Sequence, residues 1–303
     1  MSGTFAPLTL VAVDGRADAA GTALGLVWSL EQMPGASALL CSPQRPAELP
    51  ASIRHVPVAP LDYQGYSWFV LYALGPLVQT EFALIVQQDG WVLDAANWQD
   101  AFYACDYLGA PIHLARVLQA GREQWMRGFE WTEAALPDGA RILPVLNGGF
   151  SLRSQRMLRA LHTYRDRVRV TIDPPDRLWR AGEDQPLALH WMHDPLNEDV
   201  QLTAVLRPAL EACGLRYPTL ELARDFAIEY AAPALHAGMD VRRLFGQHAP
   251  LRKLVSLRPP TVRYACTRAQ ALRIHGEAAM VALLEGRGYR VGFADEGGAA
   301  SAG

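Results

Sequence analysis

Leu8-Thr-Leu-Val-Ala-Val13 is an apolar run of strand length that stops at Asp14-Gly15, the pattern of a strand buried on both faces. Asp18 stands where it can cap a helix reaching to about Met33, with Leu24, Val27, Trp28 and Leu30 among its apolar positions, and Pro34-Gly35 ends it. Ala38 to Cys41 predicts a second strand. After a connection marked by Pro43, Pro46 and Pro50, a short strand runs from Ile53 to Val58. A helix from about Tyr63 to Leu77 leads into a strand at Phe82 to Val86, followed by a short helix from Asn97 to Tyr103 and a strand from Tyr107 to Pro111. Weak periodicity over 113–143 predicts an irregular insertion, and the proline, arginine and aspartate of 165–195 predict a long loop. Between them an apolar strand follows Asn147-Gly-Gly, and Ser154 caps the next helix. Asn197 is placed to cap a helix reaching about Ala212, and a further helix spans Thr219 to Glu229. Strands alternating with helices predict an α/β fold with a mostly parallel central sheet.

Composition narrows the class only a little. The 303 residues are 50% hydrophobic and 19% charged, ordinary for a globular chain, and a net charge of -3 gives no reason to expect nucleic acid. Cys41, Cys105, Cys213 and Cys266 are far apart, with neither a zinc signature nor a disulfide framework, which suits reduced thiols in a cytoplasmic protein. The first apolar run is too short for a signal peptide. Tyr63 to Thr80 carries no charge for eighteen residues, but its Gln64, Gly65, Gly75-Pro76 and Gln79 favour a buried helix over a membrane span. From Val241 to Gly276 there are eight basic residues and no acidic one. This is either a solvated face or a surface for anionic lipid headgroups or a pyrophosphate-bearing acceptor. Glu296 to Gly303 is expected to be disordered.

Candidate chemistry sits at the ends of the apolar runs. In an open α/β sheet, ligands bind at the carboxyl ends of strands, where Gln87, Gln88, Asp89 and Gly90 follow Phe82–Val86. A carboxylate there can hold a divalent cation against the phosphates of a nucleotide, making Asp89 a candidate ligand and Gln87 a weaker oxygen or a ribose contact. An Asp-Gly turn is the simpler alternative. Asn147-Gly148-Gly149-Phe150 combines a side chain that can bond sugar hydroxyls with glycines that admit a ligand close to the backbone. Arg153 or Arg156 could contact phosphate. Glu198-Asp199 at a helix start is the best candidate for a general base, Asp199 as base and Glu198 as its orienting neighbour, although acids there also suit the helix dipole. His236 is a candidate further metal ligand, with a hydrogen-bonding structural role as the alternative.

The ordered series Tyr66-Ser-Trp-Phe-Val70, Thr80-Glu81, Val86-Gln-Gln-Asp-Gly-Trp91, Trp98-Gln-Asp100, Asp106-Tyr-Leu-Gly-Ala-Pro111, Asn147-Gly-Gly-Phe-Ser-Leu-Arg-Ser154, Glu198-Asp-Val200 and Leu235-His236 resembles a glycosyltransferase-A-like domain family, catalogued as a domain of unknown function and found in bacterial polysaccharide loci and in fungi. The resemblance covers roughly residues 8 to 240. It implies a GT-A-like, Rossmann-like fold over 1–240, with 241–303 as a basic C-terminal extension. It also implies that Val11 to Gly15, Val13 and Asp14 included, lie near the nucleotide base. Asp89 would stand for the last aspartate of the usual D-x-D metal motif, with Mn²⁺ or Mg²⁺ as cofactor, while Gln87 replaces the first. Asn147 to Phe150, with Trp91 and Arg153, would border donor sugar and acceptor, and Asp199 would be the base of an inverting displacement. Where family members have Phe-Gly-Phe-His-Gly, this chain has Pro233-Ala-Leu-His-Ala-Gly238, which keeps the histidine in a different setting.

The expected activity is transfer of a sugar from a nucleotide diphosphate sugar to a glycan or lipid-linked acceptor hydroxyl. It would serve surface polysaccharide or glycoconjugate synthesis in the cytoplasm or at the inner membrane face, with 241–276 as the peripheral contact. The alternative is a degenerate GT-A-fold carbohydrate-binding or scaffolding protein, to which Gln87 lends weight. A nucleotidyltransferase would want an early lysine-containing phosphate loop, and Lys253 is the sole lysine.

Overall fold

In the computed structural model, residues 5–129, 139–179, 182, 184–230, 236 and 238–298 are described. The chain begins with β1 (Leu8–Val13), α1 (Ala20–Gln32), β2 (Ser37–Ser42), β3 (Arg54–Pro57), α2 (Tyr63–Trp68) and β4 (Phe82–Ile85). Then come β5 (Gly90–Val92), β6 (Tyr107–Gln119), β7 (Arg122–Arg127) and β8 (Arg141–Ser154). The seven-stranded central sheet has the order β3-β2-β1-β4-β8-β6-β7. The pairings β3/β2, β2/β1 and β1/β4 are parallel, and β8 is antiparallel to both β4 and β6, so five of the seven strands point the same way. This is the mixed α/β architecture with a mainly parallel sheet and flanking helices that the apolar runs predict.

β1 is buried at every position because both faces of the sheet are covered. Leu8, Leu10 and Ala12 join Leu40, Leu84 and the α1 residues Ala23 and Leu26 on one face. Val11 and Val13 join Leu39, Cys41, Ile85, Val70 and Leu74 on the other. The uncharged stretch after Tyr63 accordingly covers a sheet face. It is one broken helical run of α2, a π-turn over Phe69–Ala73 and a 3-10 turn over Gly75–Leu77, started by Asp62, whose carboxylate accepts from the Gly65 N–H at 2.6 Å. Among the described residues no helix is long and apolar enough to cross a membrane. The four cysteines are free thiols.

Two sequence expectations are corrected. The irregular insertion over 113–143 is instead largely a β-arm, for β6 continues to Gln119, turns at Ala120-Gly121 and returns as β7, paired from Leu114↔Arg127 to Gln119↔Arg122. Only Ala115, Arg116 and Val117 on β6 are buried there, and the edge strand β7 is mostly exposed, so an arm with a narrow apolar face gave little periodicity. Residues 141–143 already belong to β8, and 130–138 lie outside the described residues. The expected loop at 165–195 contains a hairpin of β9 (Arg177–Trp179) and β10 (Ala188–His190).

Ahead of that hairpin, α3 (Gln155–Leu158) and α4 (Ala160–Thr163) follow Ser154, whose Oγ accepts from the Met157 N–H at 3.1 Å. Next come α5 (Glu198–Val200), α6 (Arg207–Ala212) and α7 (Leu220–Phe226), then β11 (Ala227–Ile228), β12 (Gly246–His248), β13 (Arg252–Leu257) and β14 (Pro260–Tyr264), and finally α8 (Arg268–Arg273), α9 (Ala278–Gly286) and β15 (Arg290–Gly292). A π-turn over Gln201–Val205 joins α5 to α6. Asn197 holds the cap position of α5 without a side-chain cap bond.

β12 pairs with β5 and β11 in a small sheet, and β13, β14 and β15 form another. The latter carries its own core, in which Leu254, Val262, Tyr264, Leu284 and Phe293 close over Trp91, Leu93 and Ile228. Ala294–Gly298 is a 3-10 turn, and the remainder of the expected disordered tail, 299–303, lies outside the described residues.

The basic stretch is less cationic in space than in sequence. Arg252 is buried against Glu277, while Arg242 pairs with Asp240, Arg258 with Glu31 and Arg268 with Glu285. Those carboxylates lie outside 241–276, which is why the stretch reads as unopposed.

Candidate functional site

β4 ends in a tight turn. The Gln87 N–H donates to the Gly90 carbonyl at 2.7 Å, and the Gly90 N–H donates back at 3.2 Å, leaving Gln88 and Asp89 at the corner. The turn reading of Asp89 is thus what the backbone shows. The turn is stitched to the C-terminal sheet, since the Ala249 N–H donates to the Asp89 carbonyl at 2.9 Å and the Leu254 N–H to the Gln88 carbonyl at 3.0 Å. Gln88 directs its side chain away from Asp89, its Nε2 donating to the Leu254 carbonyl at 3.3 Å.

The second segment is a bulge. Gly109 faces Ser151 but Pro111 faces Leu146, so two steps along β6 match five along β8 and Asn147 to Phe150 are thrown out of the ladder. The Asn147 Oδ1 accepts from the Gly149 and Phe150 N–H groups at 2.7 and 3.2 Å, closing the bulge on itself. Its glycines make room for side chains of the protein. A Cβ on Gly148 would lie 2.0 Å from Glu198 Oε1, and one on Gly149 would lie 2.5 Å from both Gln87 Oε1 and His248 Nε2.

The third segment is the start of α5. The Gly148 and Val200 N–H groups donate to the Asp199 carboxylate at 3.1 and 2.7 Å. Burial, reinforced by the charge of Glu198, pushes Asp199 up to about 7 against the pull of those donors and of Arg153. Glu198 pairs with Arg153 at 2.8 Å, both buried, and the Arg153 guanidinium lies 4.8 Å from the Tyr107 ring centroid. Burial works against the charge of Arg153, but the charge and hydrogen bond of Glu198, together with Tyr107 and Tyr66, outweigh it and its pKa is raised.

Asp89, Asp199, Glu198, Asn147, Gln87 and His248 line one cavity of about 230 Å³, closed on a further side by Tyr63 and Tyr66. A neighbouring cleft of about 330 Å³ shares Tyr63, Tyr66, Gln87 and Asp89 with it and extends past Val13, Asp14 and Arg16. A larger surface groove of about 1010 Å³ lies between the start of α1 and residues 44–50, away from the convergent carboxylates.

Several expected site residues have other places. Trp91 and Phe150 are fully buried in the core, and Arg153 is buried on Glu198, so their side chains support the site from beneath and do not meet a sugar or phosphate. The histidine beside Asp89 is His248 and not His236: the β12/β5 register sets it opposite Gly90, with Nε2 3.7 Å from the Asp89 carboxylate. His236 is half-buried and does not line the cavity. Burial and Arg252 hold His248 towards its neutral form, against Asp89.

Sequence reasoning also missed Glu229. This buried carboxylate accepts from Asn147 Nδ2 at 2.8 Å and lies 3.9 Å from His248 Nδ1. Burial, then the charge of Asp199, raises it to about 8. Neither residue has a local signature, because Glu229 meets Asn147 through a side-chain hydrogen bond and His248 meets Gly90 by strand pairing, each across more than 80 residues of chain.

For a divalent cation, Asp89 offers one carboxylate, with an imidazole and an amide nearby. Among the described residues no three His, Cys, Asp or Glu side chains cluster as a ligand set. Hard cations require several oxygen ligands, so among the described residues the side chains about Asp89 do not make a metal site of their own.

No curated protein matches the sequence. A solved structure of the galactosyltransferase LgtC, in complex with donor and acceptor sugar analogs, aligns over 80% of this chain and 86% of that chain at 13% identity, with a TM-score of 0.41. A family model matches residues 64–248, which span the β4 turn, the β8 bulge, the start of α5 and His248, and the chain belongs to that family, DUF5672, described as proteins of unknown function.

Proposed function

We propose that this protein is a glycosyltransferase that moves a sugar from a nucleotide diphosphate donor to an acceptor hydroxyl, with inversion. The observation that carries the reading is the meeting of Asp89 and Asp199, from opposite sides of the β8 bulge, in one cavity that opens into the cleft at the carboxyl end of β1. A carboxylate poised near neutrality is suited to take a proton from a hydroxyl. Asp199 would remove the acceptor proton as the acceptor oxygen bonds to the anomeric carbon, and the diphosphate would leave with the electron pair of the broken C–O bond. Asn147 and the Asp199 pocket would lie on the acceptor side, Val13, Asp14 and Gln87 on the donor side. A glycan or lipid-linked acceptor in surface polysaccharide or glycoconjugate synthesis suits this chemistry. The Mn²⁺ or Mg²⁺ implied by the resemblance is not part of the proposal, since Asp89 lacks companion ligands.

The test is incubation of the purified chain with a panel of nucleotide sugars and candidate acceptors, with release of nucleoside diphosphate as the readout. Asp199→Asn should abolish transfer while leaving donor affinity within about twofold; near-normal transfer would show that another group is the base. The replacement of a metal-binding aspartate by Gln87 favours a second reading, a carbohydrate-binding protein without catalysis. In that case donors or glycans bind and no nucleoside diphosphate is released.

A further inference from the structure

Building on the glycosyltransferase reading, we infer that the C-terminal sheet supplies one wall of the donor cleft, and that Lys253 from this sheet and Arg16 from the end of β1 together bind the diphosphate of the donor. Three observations converge. Lys253, the sole lysine of the chain, lines the cleft that Arg16 and Asp89 also line. Its position is set by the alternation of β13: Arg252 is buried inward on Glu277 and Gln247, Leu254 is buried in the C-terminal core, and Lys253 between them is exposed. The backbone on either side is bonded to the β4 turn through Ala249 to Asp89 and Leu254 to Gln88. The ammonium is therefore carried by a strand fixed to the same turn that presents Asp89.

Arg16 reaches the cleft from the other end of the sequence. Asp14 is buried and its carboxylate accepts from Arg16 Nε at 2.9 Å, from Arg16 Nη2 at 2.7 Å and from Thr22 Oγ1 at 2.6 Å. Burial would raise Asp14, but the Arg16 and Thr22 hydrogen bonds hold it below its ordinary value. The guanidinium is thus oriented while its side chain stays 62% exposed, and Nη1 makes no hydrogen bond among the described residues. A planar fork with a free edge and a nearby ammonium is a donor set for phosphate oxygens. Two fixed cations would also take up the charge that develops on a departing diphosphate, the task for which the carboxylates about Asp89 are too few to hold a cation. Both residues fall outside the family match at 64–248, so this wall belongs to the flanking segments of the chain.

Calorimetric titration of the full chain with nucleoside diphosphates and with inorganic pyrophosphate, in EDTA and again in Mn²⁺, tests the inference. The expected result is binding in EDTA that falls at least tenfold in Lys253→Met and in Arg16→Met, with Arg258→Met, a cation in the β13–β14 turn paired with Glu31, unchanged. Comparable loss for pyrophosphate shows that the diphosphate carries the recognition; loss confined to nucleoside diphosphates assigns the two residues to the nucleoside and overturns the inference. Unchanged affinity in Lys253→Met, or binding that appears only with Mn²⁺ and ignores both substitutions, also overturns it. Sugar transfer at the wild-type rate by Lys253→Met would sink the inference and leave the transferase reading standing. Diphosphate binding that depends on Lys253, in a protein that transfers no sugar, would do the reverse.

Discussion

Asp199 is the residue at which structure and proposed chemistry make opposite demands. Its folded value of about 7 lies above the ordinary 3.8 because burial and Glu198 disfavour its charge. The folded state therefore holds the proton more firmly than the unfolded chain, and the stability linked to it is complete below about 4 and lost as pH rises towards 7. Catalysis needs the ionised form, so transfer should increase as pH rises through about 7 and then level. Asp199→Asn removes the penalty, and thermal unfolding at pH 8 should show a gain of up to about 4 kcal/mol in a variant that transfers nothing. A variant no more stable than wild type at pH 8 and pH 5 alike would mean that the carboxylate is solvated. Arg153 shows the converse. Removing it strands Glu198 as a buried charge, so Arg153→Met should cost about 3–5 kcal/mol in denaturant unfolding, and adding Glu198→Gln should restore part of that. The acid pair was legible in the sequence because both members are adjacent at a helix start. Arg153 was read as a phosphate contact because its partner lies 45 residues away.

At the scale of elements, the strands and helices with strong periodicity were legible: β1, α1, β2 and β4 form where the apolar runs lie. What was not legible is pairing. The Gly109-Ala-Pro111 and Asn147-Gly-Gly-Phe150 segments are neighbours in one sheet, and the extra residues of β8 become a bulge only because β6 shifts register there. The glycines of that bulge suit close approach, as their sequence suggests, but the approaching groups are Glu198, Gln87 and His248. Gly149→Ala would force Gln87 and His248 away from their places beside the turn. It should reduce transfer at least tenfold for a stability loss of roughly 1–3 kcal/mol, the range of a local overpacking. Measuring kcat beside the unfolding midpoint separates the two, for a fall in activity no larger than the unfolded fraction explains would leave the bulge a merely structural feature.

At the scale of the whole molecule, the question is whether 241–303 is an appendage, as the extent of the family resemblance implies, or part of the body that forms the site. Trp91, Leu93, Ile228 and Leu244 are buried in a core whose other members include Leu254, Val262, Tyr264, Met280, Leu284 and Phe293. Trp28 of α1 meets Tyr289 with ring centroids 5.3 Å apart, so α1 is covered by the central sheet on one side and by the C-terminal module on the other. Fully burying one large apolar side chain contributes about 1.5–3 kcal/mol, and a folded domain has only about 5–15 kcal/mol in total. Cutting the chain after His248 would uncover at least Trp91, Leu93, Ile228 and Leu244 and delete the bonds from Ala249 and Leu254 to the β4 turn. The truncated chain should therefore fail to give a cooperative melt and should elute as aggregate in size-exclusion chromatography, whereas the full chain should melt in one transition. A truncated protein that melts cooperatively near the full-length temperature would make the module dispensable to the fold. The orientation of Asp89 would then depend on the β5/β12 pairing alone, which holds His248 opposite Gly90.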